Sequence, residues 1–275
     1  MGKNSGKTKG GRNLPATVIG IDIGGTGIKG GIVDLTAGAI VGDRFRVETP
    51  QPATPEAVAV VVADIVAELS VREGAPPAGL PIGVTFPAII QHGVARSAAN
   101  VDESWIDTDV DALFTKVLGR DVHVINDADA AGLAEVQYGA GKGVNGTVLV
   151  ITLGTGIGSA FIFDGKLVPN AELGHLEIDG HDAETQASAV ARERLGLSWD
   201  EYSVKLQRYF SHVEFLFSPE LFIVGGGISK RSKDFLPNLS LRTPIIPAEL
   251  RNHAGIVGAA LQAALHFKSQ PVEAK

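Results

Sequence analysis

The chain has 275 residues, 44% of them hydrophobic, with a formal net charge of −7 and no cysteine. That length suffices for one large domain or for two smaller domains that share a cleft. The missing cysteines exclude disulfide bonds, thiolate metal sites and a cysteine nucleophile, and they fit a reducing, cytoplasmic compartment. The negative charge argues against nucleic acid as a partner, because general nucleic-acid binding needs a basic surface.

The first 16 residues carry cations but no acid and no apolar core. A secretory signal peptide requires a central apolar region, so this segment is not predicted to be one. Residues 1–16 are expected to form a mobile basic tail, since charge runs are usually solvated. No apolar run in the chain reaches the roughly 20 residues that span a bilayer, so no membrane contact is predicted.

The first glycine-rich loop lies at residues 25–30, where Gly-Thr-Gly-Ile-Lys-Gly matches the GxGxxG pattern of dinucleotide-binding folds. That pattern requires a helix to begin at the loop, whereas residues 28–35 continue as a glycine-rich apolar strand. We therefore predict a β-hairpin whose tip offers backbone N–H groups to a phosphate. Asp22, just before the tip, is the predicted ligand of a divalent cation. The phosphate-binding residues predicted here are Gly24, Gly25, Thr26, Gly27 and Lys29.

A scaffold segment follows the hairpin. Residues 55–71 place apolar side chains at helical spacing, which predicts a helix that packs on a sheet. Residues 81–90 are typical of a buried strand, and the strand should end at Pro87. A polar turn then leads to Asn100, which is either a ligand contact or a turn former, as single asparagines in loops often are.

The pair Asn126-Asp127 follows the apolar run 122–125 and precedes a helix-compatible segment that ends near Tyr138. A carboxylate at such a strand-to-helix junction lies beside unpaired helix N–H groups, which keep it ionised. It also projects from the sheet edge where open α/β folds bind ligands. We interpret Asp127 as a catalytic base; the alternative is that it only caps the helix.

The strand–glycine loop–strand pattern recurs at residues 147–165, in an alignment that pairs Thr17 with Thr147. This internal repeat predicts two similar half-molecules that face each other, each holding one side of a phosphate chain. The alternative is two ordinary hairpin turns, but a paired repeat is much stronger evidence than a lone loop. The phosphate-binding residues predicted in the second loop are Gly154, Thr155 and Gly156.

A loop after the second hairpin carries Glu172 and His175, and Asp182 and Glu184 follow. Carboxylates and an imidazole could hold a divalent ion, yet the same donors and acceptors also suit sugar hydroxyls, each of which needs paired partners. We favour the sugar. Residues 186–217 are predicted to be helical, with an apolar stripe that belongs to the core.

Near the C-terminus, residues 221–224 predict a short buried strand that opens into a third glycine turn. Such a turn can approach a nucleoside or a long phosphate chain; the alternative is a plain connection with a solvated basic face. Small residues at 254–260 predict a closely packed helix on the hinge side of the cleft. The predicted donor contacts are Gly225, Gly226, Gly227 and Lys230, and the cations Arg231 and Lys233 follow.

In their order, these motifs resemble the five motifs shared by sugar kinases, actin and chaperone ATPases. Within that superfamily, Glu-Leu-Gly-His at 172–175 resembles the ROK family of sugar kinases and repressors. Two further stretches, 206–209 and 216–227, look like polyphosphate-dependent glucokinases, including the polyphosphate/ATP glucomannokinase type. The resemblance covers nearly the whole chain from residue 17.

The resemblance implies an α/β fold of two actin-like ATPase (ribonuclease H-like) domains that face each other across a cleft. The N-terminal domain would span residues 17–126 and the C-terminal domain residues 127–275, with the last helix, 254–267, near the hinge. A homodimer is also expected.

The resemblance further implies a hexose kinase that transfers the terminal phosphoryl group of polyphosphate, ATP or both to the 6-hydroxyl of glucose, and also accepts mannose. Mg²⁺ would be the cofactor and Asp127 the base. The cysteine-rich zinc site typical of ROK proteins is missing, since residues 176–182 are short and contain no cysteine, so no structural zinc is expected. The implied sugar-binding residues are Asn100, Asn126, Asp127, Glu172, His175 and Glu184.

Other functions remain as alternatives at this point. The chain could be an ATP-only ROK sugar kinase, or a sugar-sensing ROK-type protein without catalysis. A repressor needs a helix-turn-helix, which we do not expect from a tail of 14 residues. An actin-like filament protein would lack the sugar-binding group around Glu172 and His175.

Overall fold

A computed structural model describes residues 13–98 and 101–269 of the chain. Most of the predicted basic tail and Asn100 lie outside these residues. The strands are β1 (Thr17–Gly24), β2 (Gly27–Asp34), β3 (Ala39–Val47), β4 (Ile82–Phe86), β5 (Ile90–Gln91), β6 (Val94–Ala95), β7 (Val122–Asn126), β8 (Thr147–Leu153), β9 (Ile157–Phe163), β10 (Lys166–Val168), β11 (Glu177–Ile178), β12 (His181–Asp182), β13 (Leu221–Gly225) and β14 (Ile245–Pro247). The helices are α1 (Pro55–Ser70), α2 (Val110–Leu118), α3 (Asp127–Tyr138), α4 (Glu184–Ala187), α5 (Ala189–Arg194), α6 (Trp199–Phe217) and α7 (Ala254–Ser269).

Two five-stranded sheets with the same strand arrangement form the framework. The first has the order β3-β2-β1-β4-β7 and the second β10-β9-β8-β13-β14. Each consists of an antiparallel three-stranded meander followed by two parallel strands. The internal repeat predicted from the two glycine loops is therefore confirmed. Because carboxyl ends of parallel strands form the ligand-binding edge of an open sheet, each half presents such an edge.

Both predicted hairpins are present. Gly24 faces Gly27 across the first turn, and Leu153 faces Ile157 across the second. The first glycine loop thus connects two antiparallel strands, and no helix begins there. The GxGxxG match is therefore not a dinucleotide-binding motif.

Two central helices each pack on the sheet of the opposite half. The helix α3 follows β7 of the first sheet but packs against β8 and β9, whereas α7 packs against β1 and β4 and also against α3. This packing depends on missing side chains: a Cβ at Gly20 would lie 2.0 Å from the Ile256 carbonyl oxygen, and one at Gly258 would lie 1.8 Å from the Ala130 carbonyl oxygen. The small residues of α7 therefore allow backbones to approach closely, as the sequence predicted.

The flanking helices cover the outer faces. The side chain of Thr54 caps α1, and Pro55 occupies its first turn, where a missing N–H costs nothing. Val62 and Ile65 of α1 are fully buried in the first core, so truncating either to alanine should cost about 2–4 kcal/mol. Within the described residues, no helix combines the length and the hydropathy needed to cross a membrane.

The prediction that residues 186–217 are helical is confirmed for most of the segment, which is divided into α4, α5 and α6. Ser188 ends α4 and caps α5 with its side chain. Gly196 has a left-handed φ of 64°, and Ser198 forms a capping box with Glu201 at the start of α6. Serines and glycines of this kind mark helix ends, and the apolar stripe obscured them.

Candidate active site

The residue Asn126, and not Asp127, is the N-cap of α3. Its Oδ1 accepts hydrogen bonds from the N–H groups of Ala128 at 2.9 Å and Asp129 at 3.1 Å, and its Nδ2 donates to the Ala88 carbonyl at 3.1 Å. The side chain of Asp127 is therefore not needed as the cap of α3. The side chain of Asn126 is buried and engaged in these bonds, so its sugar contact stays a prediction without support from the geometry.

The carboxylate of Asp127 lies between groups of both halves. Its side chain is accessible to solvent, although protein atoms surround it on its other sides. That surrounding protein raises the pKa of Asp127 to about 6, and the negative charges of Asp22 and Glu172 add to the rise. The N–H of Ala128, which donates to Oδ1 at 2.8 Å, acts in the opposite direction. A carboxylate with a pKa of about 6 is suited to accept a proton near neutral pH.

A second carboxyl group, that of Asp129, is buried beneath the site and only 1% exposed. Its Oδ2 accepts the N–H of Asn170 at 2.8 Å, while Oδ1 has no hydrogen-bond partner among the described residues. Burial raises its pKa to about 7, and the charges of Glu172 and Asp127 contribute. Sequence analysis missed this residue, although an acid two positions after Asp127 is visible in the sequence.

The predicted metal ligand Asp22 is fixed from two sides. The hydroxyl of Thr85 donates to its Oδ1 at 2.9 Å, and Lys29 Nζ lies 3.5 Å from its Oδ2. The side chain remains 22% exposed, which leaves room for a further ligand. A single carboxylate of this kind fits Mg²⁺, which usually keeps several waters and takes only one or two protein carboxylates beside the phosphates.

A cation that sequence analysis missed, Arg46, lies at the first glycine turn. Its Nη2 donates to the Thr26 carbonyl at 2.9 Å, and β3 places it directly opposite Lys29. Lys29 in turn faces Asp22 across β1 and β2. Two cations therefore accompany the N–H groups of the first turn, where a phosphate donor is predicted to bind.

The second and third glycine turns are neighbours. Gly226 has a φ of 80°, and a Cβ there would lie 2.3 Å from the Leu153 carbonyl oxygen. The carboxylate of Glu184 accepts the Ile157 N–H at 3.1 Å and lies against Gly156. Glu184 therefore connects the second donor loop to the predicted sugar site.

The Glu-Leu-Gly-His loop packs tightly on β9, because a Cβ at Gly174 would lie 2.1 Å from the Ile157 carbonyl oxygen. Next to it, His175 Nδ1 lies 2.9 Å from Asp182 Oδ2. Burial raises the pKa of Glu172, and the hydrogen bond to Asp182 raises the pKa of His175. Ligand atoms of His175, Asp182 and Glu184 all lie within 4.8 Å of one another, so the metal alternative has a geometric basis.

Three cations follow the third turn, and all three are exposed. Lys230 and Lys233 extend from the irregular helix Gly227–Asp234. Arg231 pairs with Asp234, and its guanidinium carbon lies 5.0 Å from the ring centre of Trp199. Lys230 and Lys233 are thus more available to an anionic ligand than Arg231.

Two of the predicted site residues, Asp22 and Glu172, lie close enough to Asp127 to shift its pKa. Electrostatic coupling joins Asp127 to Asp22 of the first half and to Glu172 of the second. Arg46, Asp129 and Asn170 are additions from the structure, which also pairs Asp182 with His175.

Comparison with known proteins gives consistent matches. Residues 18–195 match the family model described as ROK family. A polyphosphate glucokinase of Mycobacterium tuberculosis (strain CDC 1551 / Oshkosh) is 49% identical over 243 residues, which cover 88% of this chain and 89% of that protein.

Two solved structures are also similar. The inorganic polyphosphate/ATP-glucomannokinase from Arthrobacter sp. strain KM superposes with a TM-score of 0.88 at 80% identity, covering 91% of this chain and 99% of the other. A ROK family glucokinase from Streptomyces griseus, in complex with glucose and AMPPNP, has a TM-score of 0.76 at 27% identity, covering 90% and 99%.

Proposed function

Because the chain belongs to the ROK family, we propose that it is a hexose kinase that transfers the terminal phosphoryl group of inorganic polyphosphate, ATP or both to the 6-hydroxyl of glucose. The observation that carries the proposal is the position of Asp127 close to Asp22, which precedes the first glycine turn, and to Glu172, which belongs to the predicted sugar site. The relatives named above supply the chemical identities of sugar and donor.

The chemistry follows from the position of Asp127. The 6-oxygen of the sugar attacks the terminal phosphorus in line, the bond from phosphorus to the bridging oxygen breaks, and the shortened donor leaves with that oxygen. Asp127 accepts the proton that the hydroxyl loses. Since phosphoryl transfer needs little covalent participation by the protein, most of the rate comes from positioning and from charge stabilisation.

Charge stabilisation is the task of the first half. The N–H groups of the first glycine turn, together with Lys29 and Arg46 beside it, would bind the phosphates. Asp22 would hold Mg²⁺, which when bound neutralises charge on the phosphate oxygens. Cations are needed here, because Asp22, Asp127 and Glu172 would otherwise repel a polyanionic donor.

Sugar selection is assigned to Glu172, His175 and Glu184. Carboxylates accept and an imidazole can donate or accept, so together they satisfy several hydroxyls of one ring. Mannose differs from glucose at one hydroxyl only, and its acceptance is part of this proposal. Asn100 and Asn126 complete the predicted sugar contacts.

Polyphosphate and ATP differ in what a protein can recognise. Polyphosphate has no base, so its affinity must come from cations along a groove, for which Lys230 and Lys233 are suitably exposed. The proposal also includes a homodimer and a cytoplasmic setting.

A donor-exchange assay tests this function. Purified protein is incubated with labelled ATP or labelled polyphosphate, with and without glucose, and labelled glucose 6-phosphate is measured. Glucose 6-phosphate formed from ATP but not from polyphosphate would indicate the ATP-only kinase. Glucose binding without product from either donor would indicate a sugar sensor. Donor hydrolysis that glucose does not redirect to sugar phosphate would contradict both the kinase and the sensor.

A further inference from the structure

A short hairpin returns the chain to His175 after the Glu-Leu-Gly-His loop. Strands β11 and β12 pair antiparallel, and the two residues between the pairs, Asp179 and Gly180, have φ of 55° and 76°. Two successive left-handed residues form the tightest connection between antiparallel strands, and they fix the register. The register places Asp182 at the end of β12, beside the imidazole of His175.

The two carboxylate oxygens of Asp182 serve two different residues of the predicted sugar site. Oδ2 lies 2.9 Å from His175 Nδ1, and Oδ1 accepts the backbone N–H of Glu184 at 3.1 Å. The Asp182 carbonyl also accepts the hydroxyl of Thr185 at 2.6 Å. One side chain therefore sets both the ring orientation of His175 and the start of the helix that carries Glu184.

The pairing also determines the tautomer of the imidazole. An ionised carboxylate only accepts hydrogen bonds, so Nδ1 of His175 must carry the proton that the bond uses. In the neutral ring, Nε2 is then left as an acceptor for a hydroxyl hydrogen. Histidines that bind ligands through one nitrogen are commonly oriented through the other in this way.

We propose that Asp182 is a positioning residue for sugar recognition: it holds His175 in the Nδ1-protonated form and aligns His175 and Glu184 on one substrate. This inference rests on the proposed hexose kinase function. Asp182 itself does not need to contact the sugar, because both of its oxygens already have partners.

A divalent cation at the same three residues is the competing explanation. His175, Asp182 and Glu184 could serve as its ligands, since their atoms are within 4.8 Å. The carboxylate of Glu184 already accepts the N–H of Ile157, and Asp182 already accepts that of Glu184, so a cation would have to share both groups. Orientation for a sugar uses these bonds as they are.

The test compares Asp182→Asn and Asp182→Ala with a control in the same hairpin, Asp179→Asn. Asp179 is exposed and pairs with Arg208. Asp182→Ala should raise the KM for glucose roughly 10- to 100-fold, the factor for loss of a hydrogen bond to a charged group, and leave the KM for ATP near its starting value. Asp182→Asn keeps an oxygen acceptor, so its KM for glucose should rise less. Asp179→Asn should have the same KM for glucose as the wild type.

Two further measurements identify the cause. Nitrogen-15 NMR of the imidazole should show His175 protonated at Nδ1 in the wild type, and a mixture of tautomers in Asp182→Ala. Since Asp182 raises the pKa of His175, the pH at which the ring titrates should fall in both variants. Calorimetry with glucose alone gives sugar affinity without catalysis, so a protein that binds glucose but forms no product would refute the kinase function and still test this pairing.

Several results would overturn the inference. Asp182→Ala with an unchanged glucose KM and an unchanged tautomer would show that His175 needs no orientation. Equal losses in kcat and in the KM of both substrates would indicate a general structural role. Zn²⁺ or Mn²⁺ binding without sugar, abolished in Asp182→Asn, would establish the cation site instead.

Discussion

Asn170 and Ile90 exchange two hydrogen bonds that join the two halves of the molecule. The Ile90 N–H donates to Asn170 Oδ1 at 2.9 Å, and Asn170 Nδ2 donates to the Ile90 carbonyl at 2.8 Å. The backbone N–H of Asn170 donates to Asp129 on α3. The loop that leads to Glu172 is thus attached to the segment after β4 and to the helix that begins with Asp127.

Removing this attachment should affect sugar binding and stability together. Asn170→Ala leaves the polar backbone groups of Ile90 without these partners, which should lower the free energy of unfolding by about 1–3 kcal/mol. It should also raise the KM for glucose, because Glu172 loses its anchored loop. Chemical denaturation and steady-state kinetics measure the two effects.

Two further variants separate the causes. Asn170→Gly tolerates the positive φ of 61° at this position but lacks the side chain, so a loss equal to that of the alanine variant would assign the effect to the hydrogen bonds. The exposed Asn145, replaced by alanine, serves as the control. Wild-type stability and glucose KM in Asn170→Ala would refute the attachment.

The catalytic assignment predicts the effect of Asp127→Asn. The amide keeps an oxygen for the Ala128 N–H but cannot accept the substrate proton, so kcat should fall about 10²- to 10⁴-fold while glucose still binds. Rapid-quench or coupled assays give kcat, and calorimetry gives the sugar affinity. The exposed Asp64→Asn on α1 is the matched control, and near-normal turnover in Asp127→Asn would exclude this residue as the base.

The sequence was sufficient for the parts of the site that depend on local pattern. Both hairpins follow from glycines between apolar runs, and the start of α3 follows from Asn126-Asp127 at a strand end. Long-range pairs were different. Lys29 faces Arg46 only because the register of β2 and β3 shifts between Gly30 and Ile32, and no residue count along the chain reveals such an irregularity.

The same limit explains the other omissions. Asn170 resembles an ordinary turn residue until the fold brings Ile90 beside it. Asp182 was noted among the acids after the second hairpin, but its pairing with His175 is visible only once β11 and β12 pair. The division of 186–217 was locally encoded, because Ser188 and Ser198 are helix caps. The sequence interpretation relied on the apolar stripe and did not use these caps. The domain boundary between residues 126 and 127 stays a prediction. The packing of α3 and α7 on the sheet of the opposite half is a long-range feature that local sequence patterns do not reveal.

The raised pKa of Asp129 makes a prediction for stability. Its pKa is about 7 in the folded protein and about 3.9 in an unfolded chain, so the folded state binds the proton more tightly. Its contribution to stability is therefore complete below about pH 4 and is lost as the pH rises through about 7. Asp129→Asn removes this dependence.

Denaturation at several pH values measures the effect. The wild type should lose unfolding free energy relative to Asp129→Asn between pH 5 and pH 8, by roughly 1–4 kcal/mol. The amide introduced at position 129 changes the free energy of unfolding by the same amount at every pH. Comparing how the difference between the two proteins varies with pH therefore cancels this constant effect. A difference that does not vary with pH would show that Asp129 titrates normally.

The sugar assignment predicts that alanine at Glu172, His175 or Glu184 raises the KM for glucose more than the KM for the donor, because each removes a hydroxyl partner. Glu184→Ala should also weaken donor binding slightly, since its carboxylate holds the Ile157 N–H beside the second turn. Steady-state kinetics with both substrates varied would show this. The exposed His181→Ala, in the same hairpin, is the control, and loss of a metal bound without sugar would favour the cation alternative.

Donor choice should depend on the cations after the third turn. Replacing Lys230 and Lys233 with alanine should raise the KM for polyphosphate more than that for ATP, because polyphosphate relies on charges along a groove whereas ATP also offers its base. Arg231 is left in place, since it pairs with Asp234 and covers Trp199.

The salt concentration is the second variable of this experiment. Electrostatic attraction between exposed charges is screened over about 10 Å at 0.1 M ionic strength, so the gap between the two donors should shrink as salt rises. A charge-matched double variant at the exposed Lys116 and Lys166 controls for net charge, and it should leave both KM values near the wild type. Equal losses for both donors would mean that Lys230 and Lys233 serve a shared terminal-phosphate site, and no loss for either would make them an ordinary solvated surface.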